Sequence, residues 1–364
     1  MRVANVQDGH LDLSEVKTIT IARKDLSRYA LQVGDVLMTE GGDFDKLGRG
    51  FVWEGQIKNC LHQNHVFAVR TDKAKLNPYF LTYQAGSNYG KGYFLNCSKQ
   101  STNLASINSS QLKEYPVLLP GISEQNDIVS ILRTWDQAIL FSERLVSEKK
   151  FVRMGLMQQL LTGNRRCPRF DGEWREVQLG DVFVNRTESG RTDLPLVSIT
   201  AGRGVIPRDE IDRKDSSSED KGKYLRICPG DIGYNTMRMW QGVSALSPLE
   251  GIVSPAYTIV TPHKGIDGEF MAILFKFPPV VHLFYRYSQG LVSDTWNLKF
   301  RHFSEIKVRI PEEAEQKAIA NVIRIVDKEI ALLQSKADAL REQKKGLMQQ
   351  LLTGKIRVNT GGGQ

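Results

Sequence analysis

Two glycine-rich stretches carry side chains of the types that read DNA. The first is Tyr89-Gly90-Lys91-Gly92-Tyr93 and the second is Arg238-Met239-Trp240-Gln241-Gly242. Arg and Gln can bond the edges of bases, Lys can hold phosphates, and Gly lets a backbone approach closely. Ordinary loop chemistry explains the same composition, so these stretches alone leave both interpretations open.

Side chains of this chemistry that the pattern places in turns and loops form our candidate DNA-binding set. A base-reading arginine contributes about 1–3 kcal/mol of discrimination at one position, whereas a phosphate contact strengthens binding to every sequence. The set divides between the two halves of the chain: Lys46, Arg49, Lys91, Lys99 and Gln100 in the first, and Arg203, Arg238, Gln241, Arg286, Gln289 and Asn297 in the second.

Catalytic motifs are weak by comparison. Asn77-Pro78-Tyr79-Phe80 is similar to the N-P-P-[YF] motif of adenine-N6 methyltransferases, but it lacks the second proline and no F-x-G-x-G loop precedes it. An Asn N-cap with Pro at the first position of a short helix explains it better. No G-x-x-x-x-G-K-[ST] loop occurs, and no Ser/His/Asp or paired-carboxylate pattern stands out. The sequence therefore predicts neither a catalytic site nor a cofactor bound by this chain.

Composition places the chain among globular proteins. Its 364 residues suffice for two or three domains, and 41% of them are hydrophobic. The net charge of +8 fits a polyanion site and a solvated basic surface about equally well. None of the four cysteines forms a C-x-x-C pair, and His62 and His65 have no further ligand nearby, so no metal site is predicted. No secretory signal or membrane-spanning run occurs, so the sequence predicts a cytoplasmic protein.

The chain contains an internal repeat. Leu156–Gly163 and Leu347–Gly354 are identical octapeptides, LMQQLLTG, 191 positions apart. The same offset relates Glu124-Gln125 to Glu315-Gln316, so the two copies align without a gap from Pro120 onward. Each half therefore reads as a variable globular region followed by a constant segment.

The constant segments have the spacing of long coiled-coil helices. Apolar residues alternate at intervals of four and three from Ile319 to Leu351, and the first copy carries the same stripe from Ile128 to Leu160. Ser142, Lys149 and Arg153 interrupt the first stripe, which fits a helix that partly faces other subunits, so we predict these three for subunit docking. Each helix would be about 60 Å long. A homodimeric coil is possible, but both strands are present in one chain, so an intramolecular antiparallel pair is favoured.

The predicted fold class is α+β, with two globular domains separated by two long helices that form an antiparallel coiled coil. Short apolar runs such as Val66–Val69 and Tyr257–Val260 indicate strands, and Gly34-Asp35 and Gly230-Asp231 indicate turns between strands. The predicted boundaries are 1–117 for the first domain, 118–164 for the first helical region, 165–308 for the second domain and 309–364 for the second helical region.

These features together resemble the specificity subunit of type I restriction–modification systems. The resemblance is carried by the duplicated helix with its two Gln-Gln-Leu-Leu-Thr-Gly ends, by Gly230–Gly242, and by Ile252-Val253-Ser254-Pro255-Ala256-Tyr257. It covers essentially the whole chain, and its motifs are specific in combination.

The resemblance implies a non-catalytic subunit that chooses where on DNA a complex acts. Each of two target recognition domains would read half of a split sequence in the major groove, and the coil would fix the gap between the halves. Two modification subunits would dock on the helices, bind S-adenosylmethionine and methylate adenine. Motor–nuclease restriction subunits would add ATP-driven, Mg-dependent translocation and cleavage.

The sequence departs from this family at its start. A complete first domain would begin with a segment like Leu179-Gly180-Asp181-Val182, and the first half has no such segment. Either the start codon is placed late or the subunit is a shortened variant. If Met1 is the true start, we expect the first half-site to be read weakly or not at all. Two other functions fit the same residues. One is a coiled-coil interaction scaffold without sequence-specific DNA binding, and the other is a fused methyltransferase.

Overall fold

A computed structural model describes residues 1–100, 104–200, 202–211, 220–292 and 295–358. The chain divides into two compact units. Unit 1 comprises residues Met1–Leu145 and Leu333–Gln364, and unit 2 comprises Val146–Leu332. Each unit therefore contains one globular region together with part of each long helix. The domain boundaries predicted from the sequence differ from this division and stay a prediction.

Unit 1 is built from short strands and helices before the first long helix. Its elements are α1 Leu26–Tyr29, β1 Val36–Thr39, β2 Gly41–Gly42, β3 Gly50–Val52, β4 Val66–Val69, α2 Pro78–Gly86, α3 Asn88–Cys97, β5 Lys99–Gln100, β6 Ala105–Ser106, α4 Ser109–Lys113 and the start of α5 Ile122–Leu160.

The unit 1 core lies between a central antiparallel sheet, of order β3-β1-β4, and the helices α2 and α3. Val36 and Met38 of β1 are buried, and so is Phe94 of α3. A second small sheet has the order β2-β6-β5. Asn77 caps α2 as predicted: its side chain accepts hydrogen bonds from the main-chain N–H groups of Tyr79 and Phe80, and Pro78 occupies the first helical position.

Unit 2 repeats this plan with additional strands. Its elements are β7 Arg175–Gln178, α6 Leu179–Val182, β8 Phe183–Arg186, β9 Val197–Thr200, β10 Gly204–Pro207, β11 Leu225–Ile227, β12 Ile232–Asn235, β13 Ser244–Leu246, β14 Gly251–Val253, β15 Tyr257–Pro262, α7 Gly268–Leu274, α8 Pro278–Tyr287, α9 Phe300–Ser304, β16 Lys307–Ile310 and the start of α10 Glu313–Leu351.

The central sheet of unit 2 has four strands, in the order β13-β12-β15-β8. Its strand β8 comes from the segment that has no counterpart in the first half of the sequence, and so does β7, which pairs with β16. Aromatic rings fill the core behind the sheet, where Tyr234 stacks on Phe303 at a centroid distance of 5.2 Å. The mixture of sheets and helices in both units confirms the α+β fold class.

The two long helices present the predicted stripe inward. All ten stripe positions of α5, from Ile128 to Leu160, and all ten of α10, from Ile319 to Leu351, are buried or half-buried. In unit 1, Lys344 of α10 contacts Asp136 of α5. In unit 2, α5 and α10 contact each other through another set of side chains, among them Arg153 and Asp327. Within each unit the two helix segments run antiparallel. None of the helices in the described ranges has an apolar stretch that would span a lipid bilayer.

The aromatic, glycine-containing stretch of the first half is a helix and not the loop that its composition suggests. Tyr89–Tyr93 lies within α3, and Gly90 packs on the main chain of α2. A β-carbon on Gly90 would lie 2.3 Å from the carbonyl oxygen of Ala85. The glycine is therefore required by the close approach of two helices and does not mark a flexible loop.

Candidate nucleic-acid interface

The loop that follows the central strand β12 forms a rigid turn in unit 2. A 3₁₀ turn spans Met239–Gln241, and Gly242 closes it with a φ of 75°, in the left-handed region that favours glycine. Met239 is fully buried and anchors the turn. The Lys276 ammonium donates to the Gly242 carbonyl at 2.7 Å, and burial lowers the pKa of this lysine.

An aromatic cluster supports this turn from the side of helix α8. The Trp240 and Trp296 rings meet edge to face at a centroid distance of 5.2 Å, and Tyr285 of α8 meets Trp296 at 4.9 Å. Such pairs contribute about 0.5–1.5 kcal/mol beyond the area they bury. The cluster therefore stabilises the turn that carries Arg238 and Gln241.

A short hairpin-like segment follows α8 on the same side. Gln289 and Asn297 exchange two main-chain hydrogen bonds of 2.8 Å, and Leu298 donates to the Thr236 carbonyl of the β12 loop. The Asn297 side-chain amide donates to the carbonyls of Gln289 and Thr295, so it holds the segment together. The β12 loop, the end of α8 and this segment thus form one surface.

Five of the six candidates in the second half lie on this surface, which we call the unit 2 face: Arg238, Gln241, Arg286, Gln289 and Asn297. The first four are exposed. Among the described residues, neither Arg238 nor Arg286 has a carboxylate partner, so both cations are free to bind an external group. Arg203 lies apart, at the turn between β9 and β10, where its guanidinium pairs with Glu210 at 2.6 Å.

Unit 1 has a corresponding surface after its own central strand. A 3₁₀ turn spans Phe44–Lys46 after β1. Leu47 ends this turn in an extended conformation, and the next residue, Gly48, has a φ of 68°, in the same left-handed region as Gly242. Strand β5, which follows α3, carries Lys99 and Gln100 and pairs with β6, which in turn pairs with β2 of the same loop. We call Lys46, Lys99 and Gln100 the unit 1 face.

The cations of unit 1 differ in how far they are neutralised within the chain. Lys46 bonds Asp43, whereas Lys99 has no carboxylate partner in the described part of the chain. The other two candidates lie on a separate group of contacts: Lys91 pairs with Asp8 at 2.9 Å, and Arg49 donates to the Gln7 side chain at 3.3 Å. The sequence analysis thus grouped eleven residues as candidate DNA contacts. The structure places eight of them on the unit 1 and unit 2 faces and three elsewhere: Arg49, Lys91 and Arg203.

A buried aspartate lies below each central strand. Asp35 and Asp231 are each 1% exposed, and each follows a glycine with positive φ, as expected for the predicted turns. Asp231 accepts two hydrogen bonds from Arg186 of β8, at 2.7 and 3.2 Å. Unit 1 has no counterpart of β8, and there Arg70, which directly follows β4, binds Asp35 at 2.7 and 2.8 Å.

The three residues predicted for subunit docking lie on the inner stripe of the helices. Arg153 donates to Asp327 of α10 at 2.5 and 3.1 Å, and Lys149 pairs with Glu329 at 2.8 Å. Ser142 is 4% exposed and donates to a carbonyl of its own helix. We predicted that these polar residues face another subunit. In the structure, Lys149 and Arg153 instead face α10, and Ser142 bonds its own helix, so the predicted direction is wrong. Their role in docking stays a prediction.

Large apolar side chains are exposed elsewhere on α5. In unit 1, Leu140 and Phe141 are exposed by 49% and 63%. In unit 2, Phe151 is 74% exposed, and Val152 and Met154 are exposed by about half. An exposed apolar surface on a long helix is typical of a protein contact.

The sequence reading missed two ion pairs that join the helices to the chain that follows them. Arg166 binds the buried Glu315 of α10, and Arg357 binds Glu124 of α5. The signal was present, because Arg166 and Arg357 are themselves 191 positions apart. No group of three potential metal ligands occurs within the described ranges, and the four cysteines are free thiols.

Sequence comparison relates this chain to known specificity proteins. The family model described as the type I restriction modification DNA specificity domain matches residues 13–148. The MjaX type I restriction enzyme specificity subunit of Methanocaldococcus jannaschii is 24% identical, over 99% of this chain and 87% of that protein. The EcoKI specificity subunit of Escherichia coli is 28% identical over 35% of this chain and 28% of that subunit.

Solved structures share the fold. A chain from a structure of complex assembly and conformational transition of the type I R-M system matches with a TM-score of 0.56 and 15% identity, covering 90% of this chain and 83% of that one. The type I restriction–modification S subunit from M. genitalium matches with a TM-score of 0.54 and 14% identity, covering 89% and 84%.

Proposed function

This chain belongs to the specificity-subunit family of type I restriction–modification systems, and from that premise we propose that it selects the DNA sites at which such a complex acts. It is the non-catalytic member of the complex. Its two target recognition domains would bind the two halves of a bipartite target on double-stranded DNA. Sequence is read by side chains that reach base edges in the major groove, and phosphate contacts position them.

The observation that supports this proposal is the repetition of the two faces. Each unit presents a 3₁₀ turn with a left-handed glycine at or just after its end, beside the residues that follow a helix. Each unit also carries a cation without a carboxylate partner among the described residues. These cations are Lys99 in unit 1, and Arg238 and Arg286 in unit 2. A buried cation without a partner would be costly, whereas an exposed one beside Gln side chains is suited to phosphates and base edges. Two such faces fit a target with two separate parts.

We infer that the helices position the partner subunits. Two adenine-N6 methyltransferase subunits would dock on the helix pair, one on each unit, and ATP-dependent restriction subunits would join them. The exposed apolar residues of α5, such as Phe141 and Phe151, support docking at the helices, because they lie on both units. S-adenosylmethionine, ATP and Mg would be bound by these partners and not by this chain. The complex would act in the cytoplasm.

The dependence of DNA binding on salt tests this proposal. The chain, assembled with a modification subunit of a type I system, is titrated onto a labelled duplex at several salt concentrations, and the modification subunit alone serves as the control. A DNA-reading subunit that neutralises several phosphates is expected to lose affinity with a log–log slope of about −0.9 per phosphate contacted. A flat salt dependence would instead favour the interaction scaffold, and binding of S-adenosylmethionine by the isolated chain would favour the fused methyltransferase.

A further inference from the structure

A segment that pairs with a neighbouring strand in unit 2 has an equivalent in unit 1 that pairs with no strand among the described residues. In unit 2, Lys307–Ile310 forms β16 and lies antiparallel to β7, with Val308 opposite Val177. The counterpart of β16, 191 positions earlier, is the extended segment Pro116–Leu119. Within the described ranges this segment has no strand partner.

The main chain of this segment is satisfied on one side only. The Gln84 side chain accepts from the Leu118 N–H at 3.1 Å and donates to the Leu118 carbonyl at 2.9 Å. In an extended strand, alternate residues direct their main-chain groups to opposite sides. Those of Val117 and Leu119 therefore point away from Gln84, and in the described part of the chain no hydrogen bond is formed by either. Unsatisfied main-chain groups along an extended segment are a template for another strand.

An indole fills the space beside β16 in unit 2. The Trp174 Nε1–H donates to the Glu315 carboxylate at 3.2 Å, and the ring lies 3.5 Å from the position of a β-carbon on Gly163. The Arg166 guanidinium, 5.9 Å from the ring centroid, also pairs with Glu315. Trp174 therefore packs where α5 ends and α10 begins, and the strand β7 that follows it pairs with β16.

Unit 1 contains the equivalents of the residues that surround the Trp174 ring, but among its described residues no indole lies against them. Glu124, Arg357 and Gly354 are the counterparts of Glu315, Arg166 and Gly163 at the same offset, and the Arg357–Glu124 ion pair is formed. Among the described residues, apart from the chain neighbours of Gly354, no atom lies within 4 Å of the β-carbon position on this glycine. The Arg357 side chain is 70% exposed, compared with 27% for Arg166.

Apolar surface is exposed at the same place. Leu119 is 54% exposed, whereas its counterpart Ile310 is completely buried. Unit 1 is nevertheless complete in its core, because Arg70 supplies the partner of Asp35 that Arg186 of β8 supplies to Asp231 in unit 2. The unpaired segment Pro116–Leu119 therefore belongs to a folded unit, and among the described residues no strand covers it.

We propose that this surface, formed by Val117, Leu119, Glu124, Gly354 and Arg357, binds an extended polypeptide segment of the pattern Trp-x-x-Val-x-Leu. The segment adds as a strand antiparallel to Pro116–Leu119. Its indole lies against Gly354 and donates to the Glu124 carboxylate. Residues Trp174–Leu179 have this pattern and occupy the corresponding place in unit 2, which identifies the chemistry of the occupant. Main-chain hydrogen bonds supply the affinity of such strand addition, and side-chain sites supply its specificity.

A synthetic peptide with the sequence of residues 172–182 tests the proposal on the full chain. Its binding is measured by calorimetry up to about 1 mM, the effective concentration that a short linker would supply. Amide exchange is followed at Val117 and Leu119. We expect one peptide per chain, slower exchange at both amides, and at least tenfold weaker binding of a peptide with Trp174→Ala.

A matched pair of proline variants separates binding from folding. Val117→Pro removes an N–H that only the added strand would use, and it should weaken peptide binding at least tenfold. Because the Val117 side chain also packs on the unit 1 core, we compare it with Val117→Ala, which loses the same packing but keeps the N–H and should bind the peptide normally. Val308→Pro places the same change in the paired strand β16 and should destabilise unit 2.

Several results would overturn the proposal: no binding by 1 mM, binding without protection of Val117 and Leu119, or equal affinity for the Trp174→Ala peptide. Dimerisation of the chain that Val117→Pro abolishes would also overturn it, because the occupant would then be a second copy. None of these results depends on DNA binding.

Discussion

The Arg166 guanidinium holds both carboxylate oxygens of Glu315, at 2.7 and 2.6 Å, although Glu315 is completely buried. Arg166 follows the end of α5, and Glu315 lies in the first turn of α10. Arg357 and Glu124 make the same pair, at 2.7 and 2.6 Å, between the end of α10 and the first turn of α5. In each unit, therefore, the chain that leaves one long helix is fastened to the start of the other.

Glu124→Gln should reduce the dependence of unit 1 stability on pH. The ion pair with Arg357 lowers the pKa of Glu124 from its usual 4.5. The stability that a depressed carboxyl pKa contributes is fully present above pH 4.5 and is lost as the pH falls through the lowered pKa. The difference in free energy of unfolding between wild type and variant should therefore be larger at pH 7 than at pH 3.

Urea unfolding at both pH values measures this difference. Glu313→Gln is the control, because Glu313 also begins a long helix but pairs only with Lys317 on the helix surface. An equal loss of stability at pH 7 and pH 3 in Glu124→Gln would contradict the predicted linkage.

Arg70→Gln should destabilise unit 1 by about 1–3 kcal/mol, because it leaves the buried Asp35 carboxylate short of its hydrogen-bond partner. Arg186→Gln should have a similar effect on unit 2 through Asp231. Chemical unfolding followed by residue-resolved amide exchange assigns each loss to its unit. Arg23→Gln is a suitable control, because Arg23 is exposed and has no carboxylate partner among the described residues.

Regular features of the sequence predicted the helices and the turns well. The alternating intervals of four and three run from Ile128 to Leu160 and from Ile319 to Leu351, within helices of 39 residues each, so the sequence predicted which side of each helix forms the stripe. Asn77-Pro78 and the two Gly-Asp turns are local motifs whose conformation depends on the residues themselves.

Contacts between distant residues could not be predicted in the same way. Two glycines within Tyr89–Tyr93 argue against a helix, yet Ser87 caps α3 and Gly90 packs on the main chain of Ala85. Asp35 and Asp231 have equivalent positions, but their arginines have different places in the fold: Arg70 directly follows β4, and Arg186 ends β8. The faces likewise depend on which loops the sheets bring together, so Arg203 could not be distinguished from Arg238 in the sequence.

Arg238→Ala should relax specificity at one base pair of the half-site that unit 2 reads, by about 1–3 kcal/mol. The reason is that Arg238 is exposed on the unit 2 face without a carboxylate partner among the described residues. Arg203→Ala is the matched control, since Glu210 already neutralises Arg203. Competition binding against all single base-pair variants of the target measures the change. A uniform loss of affinity across all variants would identify Arg238 as a phosphate contact instead.

Phe151→Glu should weaken assembly with the modification subunit at least tenfold while changing the free energy of unfolding by no more than about 0.5 kcal/mol, because Phe151 is 74% exposed. Lys149→Gln, on the inner stripe of the same helix, should show the opposite pattern, with a small loss of stability and normal assembly. Analytical ultracentrifugation of the mixed subunits reports assembly. If Lys149→Gln alone impaired assembly, the inner-stripe residues would be docking residues after all.

A map of adenine methylation tests the central claim most directly. The chain is expressed with a modification subunit of a type I system, in a host without other adenine methylation, and N6-methyladenine is located by long-read sequencing. We predict a bipartite, asymmetric motif with a fixed gap, because two different faces read its halves, and we predict that Arg238→Ala relaxes only one half. Methylation at the same sites without this chain, or methylation without any sequence preference in its presence, would contradict the assignment of site selection to this protein.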